Sequence, residues 1–383
     1  MKCVSALVAL CGVLLVASAT AAERARELGV PFEGTPGPDN AITDVAGVTV
    51  GQVTLMEDLA NGRKVRTGVT AILPRGRESL KTAVYGAWFA LNGNGEMTGT
   101  AWLDEGGQLE GPVMLTNTHS VGVVRDAVIA WRVRAGGADA SGYWWSLPVV
   151  AETWDGDLND INGFHVRPEH VDRALDTAAT GPVDEGNVGG GTGMTCHDFK
   201  CGIGTASRRV ALEGGTYTVG VLVQANYGVR ETLRIAGVPV GQELPVKTDA
   251  PPAKGDQGSI IIVVATDAPL LPHQLKRVAK RAGLGLARMG SYAGNGSGDI
   301  FIALSTANAA AFSGKPLVPS VSIGNDYVDG LFNATVQATE EAIVNAMVAA
   351  RDMQGTGGRS AQALPHDALV RLLKKYGRYA PPR

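Results

Sequence analysis

The pattern of apolar and polar residues along the chain predicts a mixture of strands and helices. An unbroken apolar run at residues 260–264 predicts a strand that is buried on both faces. Residues 271–282 carry apolar side chains at helical spacing with basic side chains between them, which predicts an amphipathic helix that covers a sheet. Other segments predict strands at residues 47–50, 67–73, 111–116 and 300–304, a hairpin at 207–225, and helices at about 120–134 and 334–353.

The order of these elements favours an α+β fold. Hairpins and helices interleave without the regular strand–helix–strand spacing of a parallel sheet, so packed sheets flanked by helices are expected rather than a doubly wound sheet. The chain has 383 residues, which is enough for one large domain or two fused domains with a sizeable core.

The amino-terminal residues have the pattern of a secretory signal peptide. Met1 and Lys2 are followed by an apolar run at residues 4–17 and then by small residues that end in Ala21 and Ala22. This pattern predicts a signal at residues 1–21 that is cut after Ala21 or Ala22, and hence a periplasmic or secreted protein. The alternative, a membrane anchor, is disfavoured because a bilayer-spanning helix needs about 20 apolar residues.

Composition narrows the classes of partner. Charged residues make up 19% of the chain, and the formal net charge is -3. Because no basic stripe with interleaved aromatic residues occurs, no nucleic-acid partner is expected. The sequence has no other long apolar segment, so no membrane partner is expected once the signal is removed. Signal removal would leave Cys196 and Cys201 as the cysteines of the mature chain, and an oxidising compartment could join them.

Ser259 lies between a Pro-, Gly- and charge-rich stretch, residues 245–258, and the predicted buried strand. A chain can cut itself at such a point when the serine hydroxyl attacks the preceding carbonyl, here that of Gly258, which tolerates a strained turn because it has no Cβ. The freed Ser259 would then be a nucleophile whose own α-amine, titrating near ~8, acts as the base. An ordinary serine at a strand edge is the alternative.

Four other polar side chains are candidates for catalytic or binding roles. Ser297 and Asp299 are two positions apart, so in an extended segment they point the same way, although a simple turn is the alternative. Asn226 ends an apolar strand, where its amide suits either an oxyanion donor or a turn. Glu152 follows an apolar run that would half-bury it, which suits recognition of a cationic amine or a structural ion pair.

Three other patterns suggest different sites. Residues 118–122, Thr-His-Ser-Val-Gly, imitate a nucleophile elbow between a predicted strand and a predicted helix, which makes Ser120 a rival nucleophile. His165 and His170 are five positions apart without a third ligand nearby, so no metal site is expected. The glycine-rich residues 189–193 lack the Gly-Lys-Ser/Thr ending of a phosphate loop, and no cofactor is expected.

Short segments in fixed order, covering nearly all of the chain from about residue 25 to Tyr379, carry a family resemblance. They are residues 34–38, 41–44, 66–71, 92–99, 116–122, 147–153, 158–163, 189–193, 258–259, 265–269 and 297–299. Together they resemble the β-peptidyl aminopeptidases and the L-aminopeptidase/D-esterase-amidases, which are autoprocessing relatives of the N-terminal-nucleophile hydrolases. The resemblance implies a four-layer αββα sandwich, cleavage into chains 22–258 and 259–383, and a homotetramer of such two-chain units.

The resemblance also implies roles for individual residues. Ser259 corresponds to the nucleophile released by cleavage after Gly258, and Asn226 to the oxyanion donor. The Ser297–Asp299 pair corresponds to the Ser-x-acid pair that supports the nucleophile, although relatives carry Glu as the acid. Glu152 corresponds to the carboxylate that holds the substrate's amine. Trp154 lies at a position where some relatives have a Tyr hydroxyl near the oxyanion, and Cys201 lies at a position where Gly is expected.

The sequence therefore predicts a self-processing serine aminopeptidase. Its expected substrates are small peptides, amides or esters with a free amine, including those that begin with β- or D-amino acids. One alternative is an acyltransferase similar to the ornithine acetyltransferases, which usually have Thr as the nucleophile. The other is a periplasmic binding protein whose glycine-rich loops hold a ligand.

Overall fold

The computed structural model describes residues 23–136, 145–245 and 258–382. The predicted signal peptide and most of the stretch before Ser259 lie outside the described residues. The strands are β1 (Thr49–Asp58), β2 (Lys64–Arg77), β3 (Val84–Ala90), β4 (Gln108–Leu109), β5 (Val113–Asn117), β6 (Val149–Thr153), β7 (Thr195–Cys196), β8 (Phe199–Lys200), β9 (Ile203–Leu212), β10 (Gly215–Asn226), β11 (Ser259–Thr266), β12 (Gly298–Ser305), β13 (Met353–Gln354) and β14 (Ser360–Ala361).

The helices alternate with these strands without a regular repeat. They are α1 (Thr100–Gly106), α2 (Val121–Arg134), α3 (Pro168–Asp176), α4 (Val240–Glu243), α5 (Pro272–Arg288), α6 (Asp329–Val348) and α7 (His366–Lys375). Within the described part of the chain, no helix is both long enough and apolar enough to cross a membrane.

Two stacked β-sheets form the centre of the molecule. One sheet has four strands in the order β1-β2-β5-β6, and the other has six in the order β4-β3-β12-β11-β10-β9. Apolar side chains from both sheets, such as Ile72 and Ile261, meet in one cluster between them. Helices α2 and α3 cover the outer face of the four-stranded sheet, and α5 and α6 cover that of the six-stranded sheet. The predicted αββα sandwich is confirmed.

Strand β11 runs through the middle of the six-stranded sheet, and all of its residues are buried. It pairs antiparallel with β10 and parallel with β12. Its apolar side chains alternate: Ile260 and Ile262 enter the cluster beneath the helices, whereas Ile261 and Val263 enter the cluster between the sheets. The run at residues 260–264 is continuous because both faces of the strand are covered.

The predicted elements are confirmed in type. The largest error in bounds concerns the first strand, which is predicted at residues 47–50 and spans Thr49–Asp58, and the last long helix is displaced as well. The sequence predicts it at about residues 334–353, but α6 spans Asp329–Val348. Tertiary contacts end it early, because the side chain of Asn187 binds both the N–H and the C=O of Arg351. The chain then forms β13, which pairs with β14. The elements that were not predicted are strands β3, β4, β6, β7, β8, β13 and β14 and helices α1, α3, α4 and α7.

Candidate active site

Three strand ends bring Ser259, Asn226 and Gly298 together. Ser259 is the first residue of β11, where it lies opposite Asn226, the last residue of β10, and Gly298, the first residue of β12. The Gly298 N–H donates to Ser259 Oγ at 3.3 Å. Ser259 and Asn226 are only 7% and 9% exposed. The predicted nucleophile and the predicted oxyanion donor are therefore neighbours across one pair of strands.

The peptide bond before Ser259 is held by the same donor. The Gly298 N–H also donates to the carbonyl oxygen of Gly258, at 3.2 Å. A Cβ on Gly258 would lie 2.1 Å from Asn226 O and 2.3 Å from Tyr227 Cα, so no other residue fits there without movement. The hydroxyl and the carbonyl that it would attack thus share one backbone hydrogen-bond donor.

Ser297 and Asp299 flank Gly298 and point the same way, as their spacing predicts. The Ser297 hydroxyl donates to Asp299 Oδ1 at 2.7 Å, and both side chains are fully buried. Asn92 holds the carboxylate in place, because its Nδ2 donates to Asp299 Oδ2 at 3.2 Å and its Oδ1 accepts the Asp299 N–H at 2.6 Å. The shorter Asp therefore still reaches its serine. Sequence reasoning assigned no role to Asn92, although it lies in the segment 92–99 that carries the resemblance.

Glu152 lies in β6 and is almost fully buried, at 3% exposed, rather than half-buried as expected. Its Oε1 accepts the Glu96 N–H at 2.9 Å, and its Oε2 accepts the Thr118 hydroxyl. Burial raises the pKa of Glu152, and these two hydrogen bonds offset part of that rise. The carboxylate therefore combines burial with directed hydrogen bonds, an environment in which a substrate cation would be bound strongly.

Gly95 connects this carboxylate to the nucleophile. A Cβ on Gly95 would lie 3.4 Å from Glu152 Oε1 and 3.2 Å from Gly298 Cα. Glu152 and Gly298 therefore face each other across a residue without a side chain. The structure thus brings Ser259, Ser297, Asp299, Asn226 and Glu152 to one place.

Trp154 is only partly covered and belongs to an aromatic group next to Glu152. Its ring makes an edge contact with His119, with ring centroids 5.7 Å apart, and His119 stacks on Phe164 at 5.9 Å. Trp154 and Phe164 are 42% and 56% exposed. His119 follows Thr118, the hydrogen-bond partner of Glu152. This arrangement gives the site an apolar surface beside its buried carboxylate.

Asn226 is oriented by a short hairpin made of β7 and β8. The Thr195 N–H donates to Asn226 Oδ1 at 2.9 Å, so the two Nδ2 donors lie on the other side of the amide. Cys196 and Cys201, whose pairing was left open by the sequence, form a disulfide in this hairpin with Cα atoms 5.4 Å apart.

Lys200 of the same hairpin carries a fully buried amine that sequence reasoning missed. Its Nζ donates to the carbonyl oxygens of Met194 at 2.7 Å and Cys201 at 2.6 Å. Burial lowers the pKa of Lys200 to about 7, against an opposing effect of the Asp155 charge. Asp155 is also fully buried, and burial raises its pKa to about 7.

The Lys200→Met substitution should remove a pH dependence of stability. Between pH 8 and 9.5 the folded protein holds Lys200 neutral while the unfolded chain, with a pKa near 10.5, still binds the proton. Stability of the parent should therefore rise with pH, by at most about 1.4 kcal/mol per pH unit from this group. Denaturant unfolding of the parent, Lys200→Met and the exposed-site control Lys81→Met at both pH values checks this. Equal slopes in all three proteins would mean that Lys200 stays protonated.

The structure gives other roles to Ser120 of the elbow-like segment and to the two histidines His165 and His170. Ser120 is 2% exposed at the start of α2, whereas an elbow nucleophile must be exposed above the sheet. His165 Nε2 lies 3.0 Å from Asp160 Oδ2, and His170 Nδ1 accepts the Arg167 N–H at 3.0 Å. Across the described ranges, no group of three or more His, Cys, Asp or Glu side chains is arranged to hold a metal ion.

Comparisons with known proteins agree with this geometry. A model of peptidase family S58 matches residues 40–361. The chain is 57% identical to the β-peptidyl aminopeptidase BapA of Sphingosinicella microcystinivorans, over 96% of each chain. It is 47% identical to BapA of Sphingosinicella xenopeptidilytica, over 96% of this chain and 95% of that one.

A solved structure shares the fold as well as the sequence. The L-aminopeptidase D-Ala-esterase/amidase of Ochrobactrum anthropi, described as a prototype serine aminopeptidase and a variant of the Ntn hydrolase fold, matches with a TM-score of 0.87. It is 50% identical and covers 93% of this chain and 99% of its own. These relatives are aminopeptidases rather than acyltransferases or ligand-binding proteins. With its two stacked sheets and its strand-end serine, the chain belongs to peptidase family S58 and is a serine aminopeptidase of the Ntn hydrolase fold.

Proposed function

We propose that the chain cuts itself between Gly258 and Ser259 and that Ser259 then serves as the amino-terminal nucleophile. The observation that carries this proposal is the shared Gly298 N–H, which binds both the Ser259 hydroxyl and the Gly258 carbonyl oxygen. A donor on the carbonyl oxygen stabilises the negative charge that develops there during attack. The products would be chains 22–258 and 259–383.

Self-cleavage would proceed through an ester. Ser259 Oγ attacks the Gly258 carbonyl carbon, the C–N bond breaks, and the acyl group moves to Oγ while the α-amine of Ser259 takes up the proton. Water then hydrolyses this ester and releases the Gly258 carboxylate. Until that step, the Gly258 carbonyl fills the position beside Ser259 and Asn226. A substrate carbonyl cannot bind there, so the uncut chain is inactive.

The released serine would act on substrates by the same chemistry. Ser259 Oγ attacks the substrate carbonyl, its α-amine accepts the hydroxyl proton and passes it to the leaving amine, and water hydrolyses the acyl-enzyme. Asn226 Nδ2 donates to the oxyanion, with the Gly298 N–H as a second donor. Ser297, held by its bond to Asp299, supports the new α-amine. No metal or cofactor is required for these steps.

Glu152 would hold the substrate's free amine, and Trp154 would contact the substrate near it. The buried carboxylate lies across Gly95 from Gly298, close to the nucleophile. An ammonium group there gains a charge-assisted hydrogen bond, worth about 1.5–3 kcal/mol. We propose small peptides, amides or esters as substrates, including those beginning with β- or D-amino acids, on the support of the relatives' names.

The signal pattern, the disulfide and the family resemblance support a location and an assembly for the enzyme. The signal pattern at residues 1–21 supports a periplasmic or secreted enzyme. The Cys196–Cys201 disulfide agrees with an oxidising compartment. The family resemblance supports a homotetramer of processed two-chain units.

The Glu152→Gln substitution tests the role of the free amine. We expect kcat/KM for a chromogenic amide of a β-amino acid to fall by about 10- to 100-fold, since each 1.4 kcal/mol is a factor of ten. Self-cleavage should survive, because the bond before Ser259 presents no amine to that subsite. The N-acetylated form of the substrate should be poor for the parent and no worse for the variant.

The control for this experiment is Glu105→Gln, which removes the same charge from an exposed position on α1. It should retain the parental preference for the free amine. If the parent hydrolyses the free and acetylated substrates equally well, the enzyme is a general amidase or endopeptidase and Glu152 has another role.

A further inference from the structure

We infer that residues 194–201, here named the clamp, orient the Asn226 amide, and that the Cys196–Cys201 disulfide makes Cys196 and Cys201 positioning residues for the reaction. The inference rests on the proposed oxyanion role of Asn226. It concerns a disulfide that includes Cys201, which stands where the family resemblance implies Gly. The clamp touches Asn226 directly and the residues that follow it.

The inner end of the clamp sets the direction of the amide. The Thr195 N–H donates to Asn226 Oδ1 at 2.9 Å. As long as this bond is kept, the amide cannot exchange its oxygen and nitrogen positions, so Nδ2 stays on the side away from Thr195. Loss of the bond would let the amide rotate and turn its acceptor towards the reacting carbonyl, where like partial charges repel.

Three interactions close the clamp beside Thr195. The disulfide joins Cys196 to Cys201, the Cys201 N–H donates to Met194 O at 3.1 Å, and Lys200 Nζ bridges the carbonyl oxygens of Met194 and Cys201. The disulfide is the only covalent bond among them. All three act within one short segment, so they fix the position of the backbone N–H of Thr195.

The outer end of the clamp is anchored to the chain just after Asn226. The His197 N–H donates to Tyr227 O at 2.8 Å, and Arg230 donates to Asp198 O at 2.6 Å. The turn itself is strained, because His197 and Asp198 have φ values of 48° and 59°, which L residues rarely adopt. A strained turn needs its closing bonds, and without the disulfide it can relax towards ordinary backbone angles.

Removal of the disulfide should therefore weaken transition-state binding more than substrate binding. The oxyanion exists only in the transition state and the tetrahedral intermediate, so its donor affects kcat rather than KM. Complete loss of such a donor costs about 10²- to 10³-fold in kcat, and a disordered donor should cost a part of that, about 10-fold.

The test uses the processed double variant Cys196→Ala/Cys201→Ala beside the parent and a destabilised control. The control is Val128→Ala, which removes buried apolar volume in α2, on the sheet face away from the site. We measure kcat and KM for a chromogenic amide, the melting temperature, and the Ki of a peptide aldehyde with a free amine. The aldehyde adds to Ser259 and forms a hemiacetal whose oxygen occupies the oxyanion position.

We expect kcat to fall and the aldehyde Ki to rise by the same factor of about 10 in the double variant, with KM within about twofold of the parent. The Val128→Ala control should lower the melting temperature alone. Unchanged kcat and Ki in the double variant would overturn the inference, as would a loss confined to the melting temperature. If the Cys196→Ala/Cys201→Ala variant does not fold, the more isosteric variant with serine at both positions is measured. If neither variant folds, the disulfide is needed for folding, and the inference that it positions Asn226 is wrong.

Asn226→Ala separates this inference from the proposed function. If Asn226→Ala keeps the parental kcat, the oxyanion role of Asn226 is wrong whatever the disulfide does. If Asn226→Ala loses kcat and the disulfide variant does not, only the clamp inference fails.

Discussion

Replacement of Ser259 by alanine should leave one uncut chain without peptidase activity. The Gly258 carbonyl remains bound to the Gly298 N–H, but no hydroxyl is present to attack it. Loss of the nucleophile should lower kcat by about 10⁴- to 10⁶-fold, as for other serine hydrolases. Intact-mass analysis of the purified parent should give two fragments, and amino-terminal sequencing of the smaller should begin Ser-Ile-Ile-Ile.

The matched control is Ser120→Ala, which removes the rival serine of the elbow-like segment. Because Ser120 is buried at the start of α2, this variant should still be cut and should keep substantial turnover. Cleavage that persists in Ser259→Ala, or a smaller fragment with a different first residue, would refute the proposed self-processing. Loss of activity in Ser120→Ala with processing intact would instead favour the elbow.

Replacement of Asn226 by alanine should lower kcat by about 10²- to 10³-fold and change KM little, because the amide contributes in the transition state. Asn226→Asp is the informative companion. It keeps an oxygen to accept the Thr195 N–H, so the hairpin contact survives, but it replaces the Nδ2 donors with a charge of the wrong sign. We expect kcat to be at least as low in Asn226→Asp as in Asn226→Ala.

These values are measured on processed enzyme, with the rate of self-cleavage followed separately by gel. Slow self-cleavage in both variants would indicate that Asn226 also acts on the Gly258 carbonyl. If both variants kept the parental kcat, the Gly298 N–H would be left as the main donor, and Asn226 would be structural.

Local patterns were sufficient for several parts of this protein. The run at residues 260–264 predicted a central strand, since burial on both faces removes the need for alternating polar residues. The spacing of Ser297 and Asp299 predicted that they share a side, because the period of an extended chain is two. The composition and order of the elements predicted packed sheets with helices outside.

Other parts depend on which strands pair and in which register. Asn226, Ser259 and Gly298 are distant along the chain and meet only because β10, β11 and β12 are adjacent and aligned at their ends. Spacing within a single strand holds no information on that register. Family resemblance, rather than periodicity, had pointed to Asn226 and Glu152 as partners of Ser259.

Local patterns and their order predicted the strand and helix types, packed sheets flanked by helices, and Ser259 as the candidate nucleophile, because these depend on short stretches of chain. The four-layer αββα class followed from the family resemblance. Three features required the folded arrangement: Gly298 donates to both Ser259 and Gly258, Asn92 holds Asp299, and Lys200 is buried in a disulfide-closed hairpin. Those features are contacts between segments far apart in sequence. They arise from the packing of the whole domain, in which each buried polar group takes whichever partner the neighbouring segments bring within reach.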